Sequence, residues 1–455
     1  MALLDSLFRS PAIDAIFSDA ARLQGMLDFE AALARAEATC GIIPSSAAQA
    51  IAAKCREELF DLAALQRKAA NAGNLAIPML QQLTALVAKD DPAAAEFVHC
   101  GATSQDAIDT GLVLQLRAAL DILSRELRQL RATLAKLADA HRATLLAGRT
   151  WMQHAAPTTF GVKVAGWLDA VHRHSRRIDE MRKHAVVLQF GGAVGTLAAL
   201  GDKGREVSVE LAKELSLTLP EIPWHSHRDR FVEVATTLGL LTGTLGKIAR
   251  DISLHSQTEI AELHEPAAAG RGASSSMPQK QNPVASAVAL SAAVRVPALV
   301  STLLSAMTQE DERGLGGWHA EWEVLPELVC LSGGALYHLL AAISGLQVDT
   351  TRMRGNLEAT RGLIYAEAVT MGLATRLGKQ EVRRMVEEAC QQAMHAHTHL
   401  RDVLLETPEI LRHFQREEIC DFFDPQKSSG MSREMIDDVL AAEKSLSAKQ
   451  QQESD

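Results

Sequence analysis

Between Gly270 and Pro283 the chain reads G-R-G-A-S-S-S-M-P-Q-K-Q-N-P. Glycine, alanine and serine lower the cost of moving a backbone and leave its N–H groups accessible. Within nine residues, Ser274 to Asn282, a hydroxyl, an ammonium and an amide follow one another, so such a loop can close over an anion. Two other polar stretches interrupt an apolar background. His99-Cys100-Gly101-Ala102-Thr103-Ser104 places hydroxyls and free N–H groups where a helix begins, which favours a carboxylate and serves equally as an ordinary N-cap. Gly148-Arg149-Thr150-Trp151-Met152-Gln153-His154-Ala155-Ala156-Pro157-Thr158-Thr159 reads by itself as a polar turn between helices, with His154 a structural or solvated histidine.

The elements that must position these stretches are helices. Ala and Leu abound, Val, Ile and Tyr are sparse and prolines lie far apart, so the expected fold is all-α. Ser18 to Cys40 has apolar residues at helical spacing and stops at Gly41-Ile42-Ile43-Pro44. From Thr103 or Ser104 onward, Leu116, Leu120, Leu123, Leu127, Leu130, Leu134 and Leu137 recur at spacings of four and three, a seam that other long helices must cover. Thr159–Val187, Arg230–Leu263, Val284–Gln309 and Glu321–Ile343 are the candidates, giving a long central bundle flanked by two smaller helical regions. The expected divisions are 1–104, 105–355 and 356–455, the last ending in a polar, frayed tail from Lys444.

At 455 residues, 47% of them hydrophobic, the chain can bury a large core. A net charge of −10 argues against a nucleic-acid partner or an anionic membrane, and any anionic substrate must be met by local cations. Six cysteines without a CxxC pair point to neither zinc nor a disulfide framework, and no metal or organic cofactor is implied. The N-terminus lacks the pattern of a secretory signal, and no apolar run approaches about 18 residues without a charge. The expectation is a soluble, cytoplasmic protein.

In order and approximate spacing, the three polar stretches resemble the signature regions of the fumarase/aspartase superfamily of lyases and cycloisomerases. The third matches the pattern Gly-Ser-x-x-Met-x-x-Lys-x-Asn except that Ala273 stands at the glycine, with Gly272 beside it. Gly191-Gly192-Ala193-Val194-Gly195-Thr196, Arg228-Asp229 and Glu312-Arg313 extend the likeness to the adenylosuccinate-lyase-like branch. The resemblance implies a homotetramer whose sites each draw on three subunits and bind a small polycarboxylate. It implies catalytic roles for Ser274, Lys280 and Asn282. It implies substrate contacts for His99, Thr103 and Ser104, for Arg149, Thr150, Trp151, Gln153 and His154, for Ser275 and Met277, and for Arg313.

Two departures select a branch. Lyases of the superfamily that release an amine or water carry a histidine directly after Gly-Arg-Thr and a glutamate five residues after the signature asparagine; here these are Trp151 and Ala287. An amine or hydroxide leaving group needs a proton as its bond breaks, whereas a carboxylate, with a pKa of about 4, departs or attacks as the anion. Loss of the pair therefore points to the lactonising cycloisomerases of aromatic catabolism, in which one carboxylate of an unsaturated polyacid adds to a double bond. The expected part of Trp151 is to fill the space of the missing histidine as an apolar wall. A fumarate-releasing lyase such as adenylosuccinate lyase is the alternative, although Leu7-Phe8 stands where that enzyme keeps an arginine-tyrosine pair for the nucleotide phosphate. A catalytically silent structural homologue is the other.

Overall fold

The computed structural model describes residues 3–266 and 272–452. Gly270 and Arg271 of the third stretch, and the end of the polar tail, lie outside the described residues. The fold is all-α apart from two small two-stranded antiparallel sheets. Its long helices are Asp19–Thr39, Ser104–Ala140, Phe160–Ala185, Asp229–His255, Val284–Ala306, Gly317–Ser344 and Ser432–Gln452. Each expected bundle helix is present, with ends displaced. Ser18 caps the first by accepting from the Ala21 N–H at 3.2 Å. The leucine seam of Ser104–Ala140 is fully buried from Leu116 to Leu134. By its end the buried position has moved from Leu137 to Ala138, the drift expected of a 3.6-residue turn under a 3.5-residue repeat.

The described chain divides into two compact units. The first comprises residues through Leu127, His174–Gly246 and Val288–Leu339. Leu23, Met26, Leu27, Ile51, Met79 and Leu83 build one of its apolar clusters. The second comprises Arg128–Arg173, Lys247–Ala287 and the residues from Leu340 onward, with Val369, Leu373, Val382, Leu400, Leu404 and Ile410 in a cluster of its own.

Three expectations are corrected. The stretch 148–159 is not a turn between helices but most of a hairpin, β1 (Leu145–Thr150) paired with β2 (Gln153–Thr159). The helix expected to reach Leu263 stops at His255, because Glu262 folds back so that its N–H donates to the His255 carbonyl at 2.9 Å. The tail does not fray at Lys444. Its helix runs to Gln452, held by a buried carboxylate, Glu443, that meets Arg131 at 3.1 Å and His172 at 2.7 Å. Val284–Ala306, which carries Arg295, and Gly317–Ser344 are long and apolar enough to cross a bilayer by length and composition alone. The most apolar window of the second is 67% buried and that of the first only 28%.

Candidate active site

The first stretch belongs to the first unit. Ser104 opens the central helix, and the Thr103 N–H donates back to the Asp106 carboxylate at 3.1 Å. Asp106 is fully buried and also accepts from the Gly191 N–H at 3.0 Å, the Gly192 N–H at 2.9 Å, Gln189 Nε2 at 3.1 Å and His225 Nε2 at 2.8 Å. This carboxylate therefore ties the Thr103 turn to the glycine-rich loop, and His225, without a role at the level of sequence, is one of its donors. Arg313 reaches the same loop, donating to the Ala193 carbonyl at 3.0 Å. The hydroxyls of Thr103 and Ser104 make no hydrogen bond among the described residues and stay half-buried at the positive end of the helix.

One turn along, Arg228 is completely buried between two carboxylates. It donates to both oxygens of Asp109 at 2.7 and 3.1 Å and to Glu321 at 2.5 Å, while Trp318 Nε1 donates to Asp109 at 3.0 Å. Burial alone would lower the Arg228 pKa, but the charges of Asp109 and Glu321 hold it above its ordinary value. The guanidinium also lies over the Trp224 and Phe231 rings at 4.9 and 4.8 Å. Arg228 and Trp318 are thus a brace behind the first stretch, joining three helix segments.

The second and third stretches belong to the second unit. In the hairpin, Arg149 pairs with His154 and Thr150 with Gln153 across the turn residues Trp151 and Met152. Both turn residues have positive φ, 51° and 65°, the type I′ combination that favours Asn-Gly, and both side chains stand out in solvent, Trp151 96% exposed. Trp151 fills no space within its own chain. Gly148 is required because a Cβ there would lie 2.5 Å from the Ala156 carbonyl oxygen.

Arg149 is committed to Glu262, to which it donates in bidentate fashion at 2.7 and 3.0 Å; Glu262 accepts in addition from His255 Nδ1 at 2.5 Å and Asn356 Nδ2 at 2.7 Å. Burial would raise the Glu262 pKa, but these donors lower it to about 2. Its geometry makes Arg149 a support of the hairpin. Burial, reinforced by the Arg149 charge, lowers the His154 pKa, so this half-buried ring is neutral near pH 7. Thr150 and Gln153 are exposed.

Among the described residues of the third stretch, Gly272 and Asn282 form a neck. The Gly272 carbonyl accepts from both the N–H and Nδ2 of Asn282 at 3.0 Å each, and Gly272 has φ 68° where a Cβ would sit 2.5 Å from the Asn282 oxygen. Glu265, before the loop, accepts from the Ala285 and Ser286 N–H groups at 2.9 and 2.8 Å and so pins the start of the next helix. Inside the neck Ser274 Oγ accepts from the Met277 N–H at 3.1 Å and the Ser276 N–H at 3.4 Å. Ser275, Met277 and Lys280 are exposed.

The structure gathers His99, Thr103, Ser104 and Arg313 in the first unit, and Arg149 to His154 with Ser274 to Asn282 in the second. Sequence reasoning missed Asp106, Glu262 and Glu265, the carboxylates that fix each stretch. Only Asp106 left a local signal, the Thr103-x-x-Asp106 spacing of a capping box; Glu262 meets its partners 113 and 94 residues away.

A family model described as lyase matches residues 8–298, and one described as adenylosuccinate lyase C-terminus matches residues 362–439. The chain is 52% identical to the 3-carboxy-cis,cis-muconate cycloisomerase of Pseudomonas aeruginosa, over 98% of this chain and 97% of the relative. It is also 52% identical to that of Pseudomonas putida, over 92% and 99%. The crystal structure of 3-carboxy-cis,cis-muconate lactonizing enzyme from Pseudomonas putida superposes with a TM-score of 0.94 at 50% identity, covering 98% of this chain and 100% of that one.

Proposed function

Because the chain belongs to the lyase family of the fumarase/aspartase superfamily, we infer that it is an intramolecular lyase interconverting 3-carboxy-cis,cis-muconate and a carboxymuconolactone. The observation that carries this reading is identity of about half to cycloisomerases of that name along nearly the whole chain. The chemistry agrees: Trp151 and Ala287 stand at the two positions of the missing histidine and glutamate, and both are exposed in the chain. A carboxylate nucleophile needs neither.

In the lactonising direction a carboxylate oxygen forms a bond to an alkene carbon. The displaced π electrons move through the adjacent carbon into a second carboxyl group, giving an aci-carboxylate, and that carbon then takes a proton. Ser274 is the proton donor. Its oxygen already accepts two N–H groups from its own loop, and these stabilise the alkoxide left behind. Lys280, with an exposed ammonium, and Asn282, once released from Gly272, stabilise the aci-carboxylate, while Thr103 and Ser104 at the helix N-terminus hold a spectator carboxylate. Closure of the loop over the substrate excludes water. No part of this sequence calls on a metal or organic cofactor.

The active form is a homotetramer in which each site takes its three stretches from three subunits. What supports it is the resemblance together with the low burial of Val284–Ala306, where Val294 is 79% exposed. The enzyme works in the cytoplasm, in breakdown of aromatic acids through protocatechuate. The three-part division at 104 and 355 fits the separate apolar clusters of the two ends. The test is ultraviolet spectroscopy: the muconate chromophore disappears when the purified protein is added. Fumarate appearing from adenylosuccinate, with the muconate untouched, would replace this reading with the lyase, and silence toward both would leave a scaffold.

A further inference from the structure

On the reading of the chain as a polycarboxylate enzyme, we propose that Glu30 is a positioning residue for the first stretch, holding the His99 imidazole by Nδ1 so that Nε2–H anchors a substrate carboxylate beside Thr103 and Ser104. Glu30 lies on helix Asp19–Thr39 and is 1% exposed, and its Oε1 is 2.7 Å from His99 Nδ1, a contact spanning 69 residues. His99 has a left-handed backbone, φ 62°, and its side chain keeps 16% exposure. A non-glycine residue in that conformation is strained, and the conformation carries its ring to Glu30. No hydrogen bond occupies Nε2 among the described residues.

The groups facing this ring decide its charge. Glu30 approaches from helix Asp19–Thr39 and Asp106 from the central helix; Glu37, on the same helix as Glu30, interacts with Glu30 and with Cys100, the next residue in the chain after His99. No lysine or arginine pairs with Glu30 or Glu37 among the described residues. Burial raises the Glu37 pKa to about 8, with the Glu30 charge reinforcing it against the Cys100 hydrogen bond, so Glu37 holds its proton near pH 7. Burial would lower the His99 pKa, but Glu30, by charge and hydrogen bond, and then Asp106 hold it above its ordinary value. Two states follow. With both ring nitrogens protonated, Nε2 donates to a carboxylate. With only Nδ1 protonated and bonded to Glu30, Nε2 is an acceptor and repels one. Since the raised pKa favours the imidazolium, anchoring is present below it and is lost as pH rises through it.

The experiment follows the His99 imidazole by NMR titration in the full-length protein, its resonance assigned by loss in His99→Gln, alongside KM and kcat for 3-carboxy-cis,cis-muconate across pH. In Glu30→Gln, His99 titrates at lower pH and KM near pH 7 rises about tenfold, the loss of one charge-assisted hydrogen bond to the substrate carboxylate, while kcat changes less than about twofold. Glu30→Asp recovers part of the loss, and the double variant with His99→Gln is no worse than either single one. An unchanged His99 titration in Glu30→Gln overturns the proposal, as do additive losses in the double variant. Should Glu30→Gln not fold, persistence of the wild-type KM inflection in His99→Gln overturns it instead. A shifted titration in a protein that does not turn over the muconate counts against the substrate and leaves the Glu30–His99 link standing.

Discussion

Of the three consecutive serines, Ser274 alone is half-buried and alone accepts backbone N–H groups of its own loop among the described residues. A hydroxyl so placed is the one whose alkoxide the loop can support. Ser274→Ala is therefore expected to lower turnover about 10²–10⁴-fold, the usual share of a general acid, with an unchanged melting curve, while Ser275→Ala and Ser276→Ala stay close to wild type. An inactive Ser275→Ala beside an active Ser274→Ala would move the assignment by one residue. Glu37 makes a second test at this scale. Its folded pKa of about 8 lies above the ordinary 4.5, so folding stability is lost as pH rises between those values. Glu37→Gln is expected to flatten that decline in melting experiments from pH 5 to 8, and an unaltered slope would show that Glu37 is ionised in the native state. Chemistry-bearing residue types were legible because a motif is local. Their supports were not: Glu30 and Glu262 act across 69 and 113 residues, where no spacing rule reaches.

At the scale of the element, the hairpin carries the clearest signature of function over stability. Trp151 and Met152 occupy left-handed positions with exposed side chains, where Asn-Gly would be relaxed, at a cost of order 1–3 kcal/mol per strained residue. Replacing them by Asn-Gly is expected to raise the melting temperature by a few degrees and to depress turnover, since the side chains that the strain displays are gone. Unchanged activity would make the turn purely structural. Trp151→His is expected to give no gain of activity, because a carboxylate nucleophile has no use for the restored base. The turn escaped sequence reading for a physical reason, the absence of any residue that prefers positive φ. The long helices were legible because apolar periodicity over several turns is a property of the element itself, although ends such as His255, where Glu262 folds the chain back, were not.

For the whole molecule, the apolar, poorly buried helix Val284–Ala306 and the exposed hairpin tip are surfaces that one chain leaves uncovered. Light scattering of the purified protein is expected to give the mass of four chains. Refolding a mixture of two inactive variants, Ser274→Ala and Thr103→Ala, is expected to recover activity that neither has alone, because some sites then combine an intact first stretch with an intact third. A monomeric mass, or a mixture as silent as its parents, would show that each chain carries its own complete site.

The sequence by itself determined the helical class, the buried seam, the three chemical stretches and, through the missing histidine and glutamate, the kind of bond that is made. The class and the seam follow from local propensity and periodicity, and the bond from the acidity of a leaving group once the resemblance to the superfamily marks Trp151 and Ala287 as departures; none of these needs a third dimension. Only the tertiary structure decided which carboxylates hold the site: Asp106 on the Thr103 turn, Glu262 on Arg149, Glu265 on the loop's exit and Glu30 on His99. A buried charge is stable only when folding brings its donors to it, so its partners are chosen by the fold and leave almost no trace in the order of residues.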